Sequence, residues 1–226
     1  MSKTKIEWTN ESWNPVTGCR HGCSYCYAHK WAMRLKAMGQ PKYNQGFKPT
    51  FHYEELYKPL HWRKQRMVFV CSMGDLFGDW VPWTWIADVV TTAEQCPDHT
   101  FQFLTKNPKR LKEVNPWPGN CWVGATATDY TAVFQARDDL QKVEASIRFV
   151  SLEPLQESVS LYPISFVDWL IVGKETRNGR PVAGYPDLQA ALSLVHQAHE
   201  LGIPVFVKDN VPWTGKRPQQ FPDDRR

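Results

Sequence analysis

The sequence predicts an α/β fold built on about six to seven parallel strands. Three observations lead there. Six short apolar runs recur along the 226 residues. They are nearly continuous in apolar side chains, which suits strands covered on both faces, as in a parallel sheet. Stretches with helical periodicity fall between them, so the chain reads as repeated βα units. A full or partial (β/α) TIM-like barrel fits this pattern, with a doubly wound open sheet as the alternative.

The runs occupy residues 67–71, 100–104, 121–125, 147–151, 168–172 and 203–207. Each is rich in β-branched or aromatic residues and is bounded by turn formers. A further, first strand is expected near a cysteine motif early in the chain. Helices are expected over 83–95, 131–144 and 188–201. The last is the clearest. Leu188, Ala191, Leu192, Val195 and Ala198 share one face, Pro186 and Asp187 precede it as a start signal, and Gly202 stops it.

No internal repeat and no Gly/Ser linker divides the chain. Residues 1–226 therefore read as one domain, with 212–226 a Pro-rich, charged tail that either covers the barrel's open side or moves freely. The hydrophobic share of 42% and charged share of 22% fit a folded globular chain rather than a disordered one. The net charge of +4 permits an anionic partner without demanding one. Local basic clusters at 63–66, 106–112 and 216–217 read first as solvated surface. No apolar run is long enough for a membrane span, and Met1, Ser2 and Lys3 begin no signal peptide, so a cytoplasmic protein is expected. In a reducing compartment its six cysteines read as thiols or metal ligands. The eleven Trp either fill gaps in the core or offer stacking surfaces.

Just after the six runs come Ser72 and Asp75, Thr105 and Lys106, Thr126, Glu153, Lys174 and Glu175, and Lys208. In either fold these positions lie beyond the carboxyl ends of the strands, where ligands bind. Six polar strand ends read together as the rim of one pocket.

Cys19, Cys23 and Cys26 are spaced C-x3-C-x2-C, with the aromatic Tyr25 before the last. Three readings compete. A structural zinc site would want four N or S ligands, and only one C-x2-C pair is present, with His21 and His29 as the nearest helpers. Buried structural cysteines are the second. The third is a cubane 4Fe-4S cluster held by three cysteines, which leaves one iron free for a small molecule. Cys71, Cys96 and Cys121 are scattered and make no second motif. Cys71 ends a strand and reads as a small buried hydrophobe, with a pocket-lining hydrogen donor as the alternative.

The cysteine spacing resembles the cluster loop of the radical S-adenosylmethionine (radical SAM) superfamily. Ile6, Glu7, Trp8 and Thr9, the string from Trp13 through Asn14, Pro15, Val16, Thr17 and Gly18 to Cys19, and Cys26, Tyr27 and Ala28 resemble a narrower radical-SAM-like family found in phages and bacteria. Further matches run from Ser72 and Met73 to Phe206 and Lys208. The chain departs from that family at Gly173, Lys174 and Glu175, where Gly-Gly-Glu is usual, and in a shorter gap between the first two cysteines. The resemblance implies a 4Fe-4S cluster on Cys19, Cys23 and Cys26. It also implies S-adenosyl-L-methionine on the open iron, an external one-electron reductant, and a 5′-deoxyadenosyl radical that takes hydrogen from a substrate. It places Tyr25 near the adenine. Ser72, Asp75, Thr126, Ser151 and Glu153 would hold the methionyl and ribose parts. Lys106, Lys174, Glu175 and Lys208 would face substrate, for which a nucleobase, nucleotide or nucleic acid is the first expectation. No residue is singled out as catalytic. An iron–sulfur electron-transfer module and a zinc-stabilised nucleic-acid-binding domain are the alternative functions.

Overall fold

Seven strands form one all-parallel sheet in chain order, in a computed structural model that describes residues 4–177 and 179–222. They are β1 (Glu11–Trp13), β2 (Met67–Val70), β3 (Thr100–Thr105), β4 (Cys121–Thr126), β5 (Ile147–Leu152), β6 (Trp169–Val172) and β7 (Val205–Val207). The order rises from β1 to β7 without a reversal, which rules out the doubly wound alternative. All six apolar runs are strands, and the extra strand near the cysteine motif is β1. Residues 1–3 and 223–226, the N-terminal start and the end of the tail, lie outside the described residues.

The sheet curls. Phe69 on β2 and Trp169 on β6 are four strands apart, which in a flat sheet is about 19 Å. Yet the ring of Trp8 lies 4.7 Å from Phe69 and 6.2 Å from Trp169. The concave face is filled by Trp8, Trp122, Ile147, Phe149, Trp169, Ile171 and Phe206. Their strand neighbours point outward by the two-residue period and meet the helices: Val68, Phe101, Val123, Val150, Leu170 and Val205 all lie in a second, larger core. Burial on both faces explains why the runs are nearly continuous in apolar residues.

The barrel is partial, because β1 and β7 do not pair. Near them, the backbone N–H of Asp209 donates to Glu7 Oε2 at 2.8 Å. The segment after β7 covers that strand's open edge. Val207 donates to Pro218 O at 2.8 Å, and Gln220 donates back to Val205 O at 3.0 Å. Phe221 stacks on Trp169 at 5.4 Å. No helix among the described residues is long and apolar enough to cross a membrane.

Helices α1 (Tyr27–Ala37), α2 (Trp83–Glu94), α3 (Tyr130–Leu140) and α4 (Leu188–Glu200) lie among the strands. Asp129 and Asp187 cap α3 and α4, each accepting an N–H of the first turn. The helix expected over 131–144 stops at Leu140, where a turn by Lys142 onto Asp139 O takes over. Helix α1 was not visible in the sequence. Only Ala28 and Ala32 are buried, while Tyr27, Trp31 and Met33 are exposed, so no apolar stripe marks it.

Candidate functional site

Along the inner faces of β4 and β5, apolar residues give way to polar ones toward the carboxyl end. On β5 the inward positions are Phe149 and Ser151, with Glu153 just beyond. On β4 they are Trp122, Gly124 and Thr126. A cavity of about 240 Å³ opens where the polar residues begin. Cys19, Cys23, Tyr25 and Cys26 line it together with Ser72, Asp75, Lys106, Thr126, Ser151, Glu153, Lys174, Glu175 and Lys208. Every residue expected to hold the cluster, the cofactor or the substrate thus borders one space.

The cysteine loop is held by residues whose role the sequence did not disclose. Asn14 Oδ1 accepts the Met73 N–H at 2.8 Å and the Ser72 hydroxyl at 3.3 Å. The Gly18 N–H donates to Met73 O at 2.9 Å. Gly18 has φ +90°, and a Cβ there would fall 2.3 Å from Lys48 O, so only glycine fits. Thr17 Oγ1 and His52 Nε2 are 2.8 Å apart, and both residues are buried. His21 Nε2 lies 2.8 Å from Asp75 Oδ2, with its ring edge-on to Trp80. The string from Trp13 to Gly18, legible as a motif, is therefore a brace for the loop.

Backbone N–H groups already point at two of the sulfurs. Cys19 Sγ accepts from His21 N at 3.4 Å, and Cys26 Sγ accepts from His29 N at 3.3 Å. Cys26 is also the N-cap of α1, whose first turn carries no acidic residue. Burial, joined by the nearby Asp75, Cys23 and Cys26 and opposed by the His21 N–H, pushes the Cys19 thiol up to about 12. A bound cation reverses that balance, because it deprotonates a coordinating thiol. Among the described residues, no three His, Cys, Asp or Glu side chains converge as ligands of one ion. A tetrahedral zinc would gather its sulfurs to within about 4 Å of each other. A 4Fe-4S cluster takes each sulfur on a different iron and leaves them further apart. Three half-buried thiols at the mouth of a cavity, two with N–H···S contacts, fit that donor set.

The remaining residues divide into open and occupied groups. Ser151 is 1% exposed, and its Oγ has no hydrogen-bond partner. Glu153 forms an ion pair with Lys208 through Oε1. It lies so close over Gly173 that a Cβ there would meet its Cδ at 2.8 Å. Lys106 Nζ donates to the Tyr25 hydroxyl at 3.1 Å and sits 5.4 Å from the ring centre. Burial lowers its pKa, partly offset by Cys23, Asp75 and Cys19.

Two expectations change on contact with this geometry. Asp75 borders the cavity, but both its oxygens are satisfied by protein. Oδ1 accepts from Phe77 N at 3.0 Å and Thr105 Oγ1 at 2.7 Å, and Oδ2 faces His21 and accepts from Lys106 N at 3.0 Å. It organises the rim. Lys174 turns its ammonium onto the backbone carbonyls of Gly184 and Pro186. Cys71 is the small buried hydrophobe expected: it lies in the outer core in a left-handed turn with φ +58° and does not line the cavity, which removes the pocket-lining alternative.

The family model described as "Protein of unknown function (DUF5131)" matches residues 3–222. The chain belongs to that family. As a DUF5131 protein it has no match among curated proteins. A solved structure titled "Spore photoproduct lyase complexed with dinucleoside spore photoproduct" resembles it with a TM-score of 0.44 at 9% sequence identity. The likeness covers 76% of this DUF5131 chain and 57% of that one, so the chain spans little more than half the length of the protein it matches.

Proposed function

We propose that this protein is a radical SAM enzyme that holds a 4Fe-4S cluster on Cys19, Cys23 and Cys26. One observation carries the reading: the three thiols share a cavity with the polar ends of the parallel strands. When bound, the cluster supplies one electron and S-adenosylmethionine supplies the organic radical that removes hydrogen from a substrate. The chain's own residues supply position and exclusion of water. The buried Ser151 hydroxyl, which lacks a partner, is offered to a polar group of the S-adenosylmethionine. Glu153 presents a carboxylate suited to an ammonium or ribose hydroxyls, held in place by Lys208. Tyr25 flanks the cysteines, and Thr126 and Ser72 complete the rim. Asp75 holds the loop through His21 rather than touching the ligand. Lys106 is the cation best placed for an anionic substrate, and a nucleobase, nucleotide or nucleic acid is the class proposed.

The test is anaerobic reconstitution with iron and sulfide, followed by S-adenosylmethionine and dithionite. The expected products are 5′-deoxyadenosine and methionine. Cys23→Ala loses both the iron–sulfur absorbance and the products. A fully loaded cluster that leaves S-adenosylmethionine intact would reject the proposal.

A further inference from the structure

Residues 12–53 contain no Asp or Glu in a run of 42, yet carry Arg20, Lys30, Arg34, Lys36, Lys42 and Lys48. This segment contributes +6 to a chain whose net charge is +4, so all the other residues together sum to −2. The basic character of the protein is thus local, and the segment that carries it is the one that folds around the cysteines. Lys42 is taken up by Glu55 at 3.4 Å and by Asn14 O at 3.0 Å. Among the described residues, Arg20, Lys30, Arg34, Lys36 and Lys48 are all exposed and make no ion pair.

Three of these cations line a shallow groove with Cys19, His29, Met33 and Phe47. Cys19 and Phe47 also line the central cavity, so they form a wall between the two. The groove is the outer approach to Cys19. Its lining joins apolar surface, from Met33 (44% exposed), Phe47 and Pro49, to the cations Arg20, Lys36 and Lys48. Apolar surface beside charged groups is what a protein-binding patch combines.

We infer that this groove docks an acidic one-electron carrier protein, which delivers its electron through the Cys19 side of the loop. The inference rests on the cluster proposed above. The step moves one electron: the carrier is oxidised by one, the cluster is reduced by one, and no bond or proton is exchanged. Charge complementarity names an anionic partner, and position separates a carrier from a substrate. A substrate must reach the cavity, whereas a partner in this groove meets the far side of the Cys19–Phe47 wall. A carrier needs only proximity. The separation also leaves the cavity free while the electron arrives.

The experiment uses a reduced flavodoxin of net negative charge as probe, with the full chain and its Lys36→Glu/Lys48→Glu variant. Binding to the protein without cluster is measured first, by anisotropy of the labelled flavodoxin at 20 mM to 500 mM salt. Wild type is expected to bind with an affinity that falls steeply with salt, and the variant at least ~10-fold more weakly at low salt. Reduction of the loaded cluster is then followed by its visible absorbance. The variant slows reduction by flavodoxin by ~10-fold or more, while photoreduced deazariboflavin, a small neutral reductant, reduces both proteins equally. Equal binding and equal flavodoxin rates overturn the docking site while leaving the cluster in place. A protein that takes up no cluster overturns both readings. Salt-sensitive binding of a single-stranded oligonucleotide that the variant loses, with unchanged flavodoxin rates, reassigns the groove to nucleic acid and overturns the carrier.

Discussion

His21 Nε2 lies 2.8 Å from Asp75 Oδ2, which ties the cysteine loop to the turn after β2. Each Asp75 oxygen also accepts a backbone N–H, from Phe77 on one side and Lys106 on the other. An amide in this place must aim its NH2 at one of those N–H groups. Asp75→Asn is therefore expected to destabilise the protein by about 1–3 kcal/mol, read from urea unfolding. It should also lower iron uptake on reconstitution, because the loop loses its anchor. Unchanged iron content at unchanged stability would remove Asp75 from the loop's support.

Ser151 gives the opposite pattern. Its hydroxyl is buried without a partner in the ligand-free protein, so nothing is lost there when it is removed. Ser151→Ala is expected to be neutral or slightly stabilising in thermal unfolding. Affinity for S-adenosylmethionine, measured by calorimetry on the loaded protein, is expected to fall ~10-fold, or about 1.4 kcal/mol. A variant that binds as wild type does would show that the hydroxyl faces no ligand.

Gly173 carries the Glu153 side chain across its bare Cα. A methyl there would sit 2.8 Å from Glu153 Cδ, which must then move and leave Lys208. Gly173→Ala is expected to cost about 1–3 kcal/mol by overpacking. It should weaken S-adenosylmethionine binding more than Lys208→Met does, since both break the ion pair but only one moves the carboxylate. Equal effects from the two variants would place the contribution in the ion pair alone.

His52 sets a pH dependence. Burial lowers its pKa from the usual 6.5, with Lys42 adding to the effect. The unfolded chain then binds the proton more readily than the folded one. The contribution is complete above pH 6.5 and is lost as pH falls from there through the folded-state value. The urea midpoint is expected to drop between pH 7 and pH 5. His52→Gln, which keeps an amide beside Thr17, should flatten that drop. An unchanged slope in this variant would assign the acid sensitivity elsewhere.

Legibility followed the range of the interactions. The six runs were readable because burial on both faces writes itself into consecutive residues, and the strand-end polar groups because period two is local. Helix α1 was hidden, since it buries two alanines and exposes its aromatics. The residues that brace the loop form a motif whose role the sequence does not disclose. Their partners lie far along the chain: Asn14 meets Met73 59 residues on, and Thr17 meets His52 35 residues on.

The sequence by itself determined the cysteine spacing, the strand segments and the set of polar groups that would meet at one end of a parallel sheet. These depend on neighbours along the chain. Only the tertiary structure decided what each polar group is free to do. Asp75 and Lys174 find protein partners, Ser151 finds none, and Glu153 and Lys208, 55 residues apart, find each other. The curl of the sheet and the cationic groove behind Cys19 were decided there too. A hydrogen bond depends on distance in space, and distance along the chain carries no record of it.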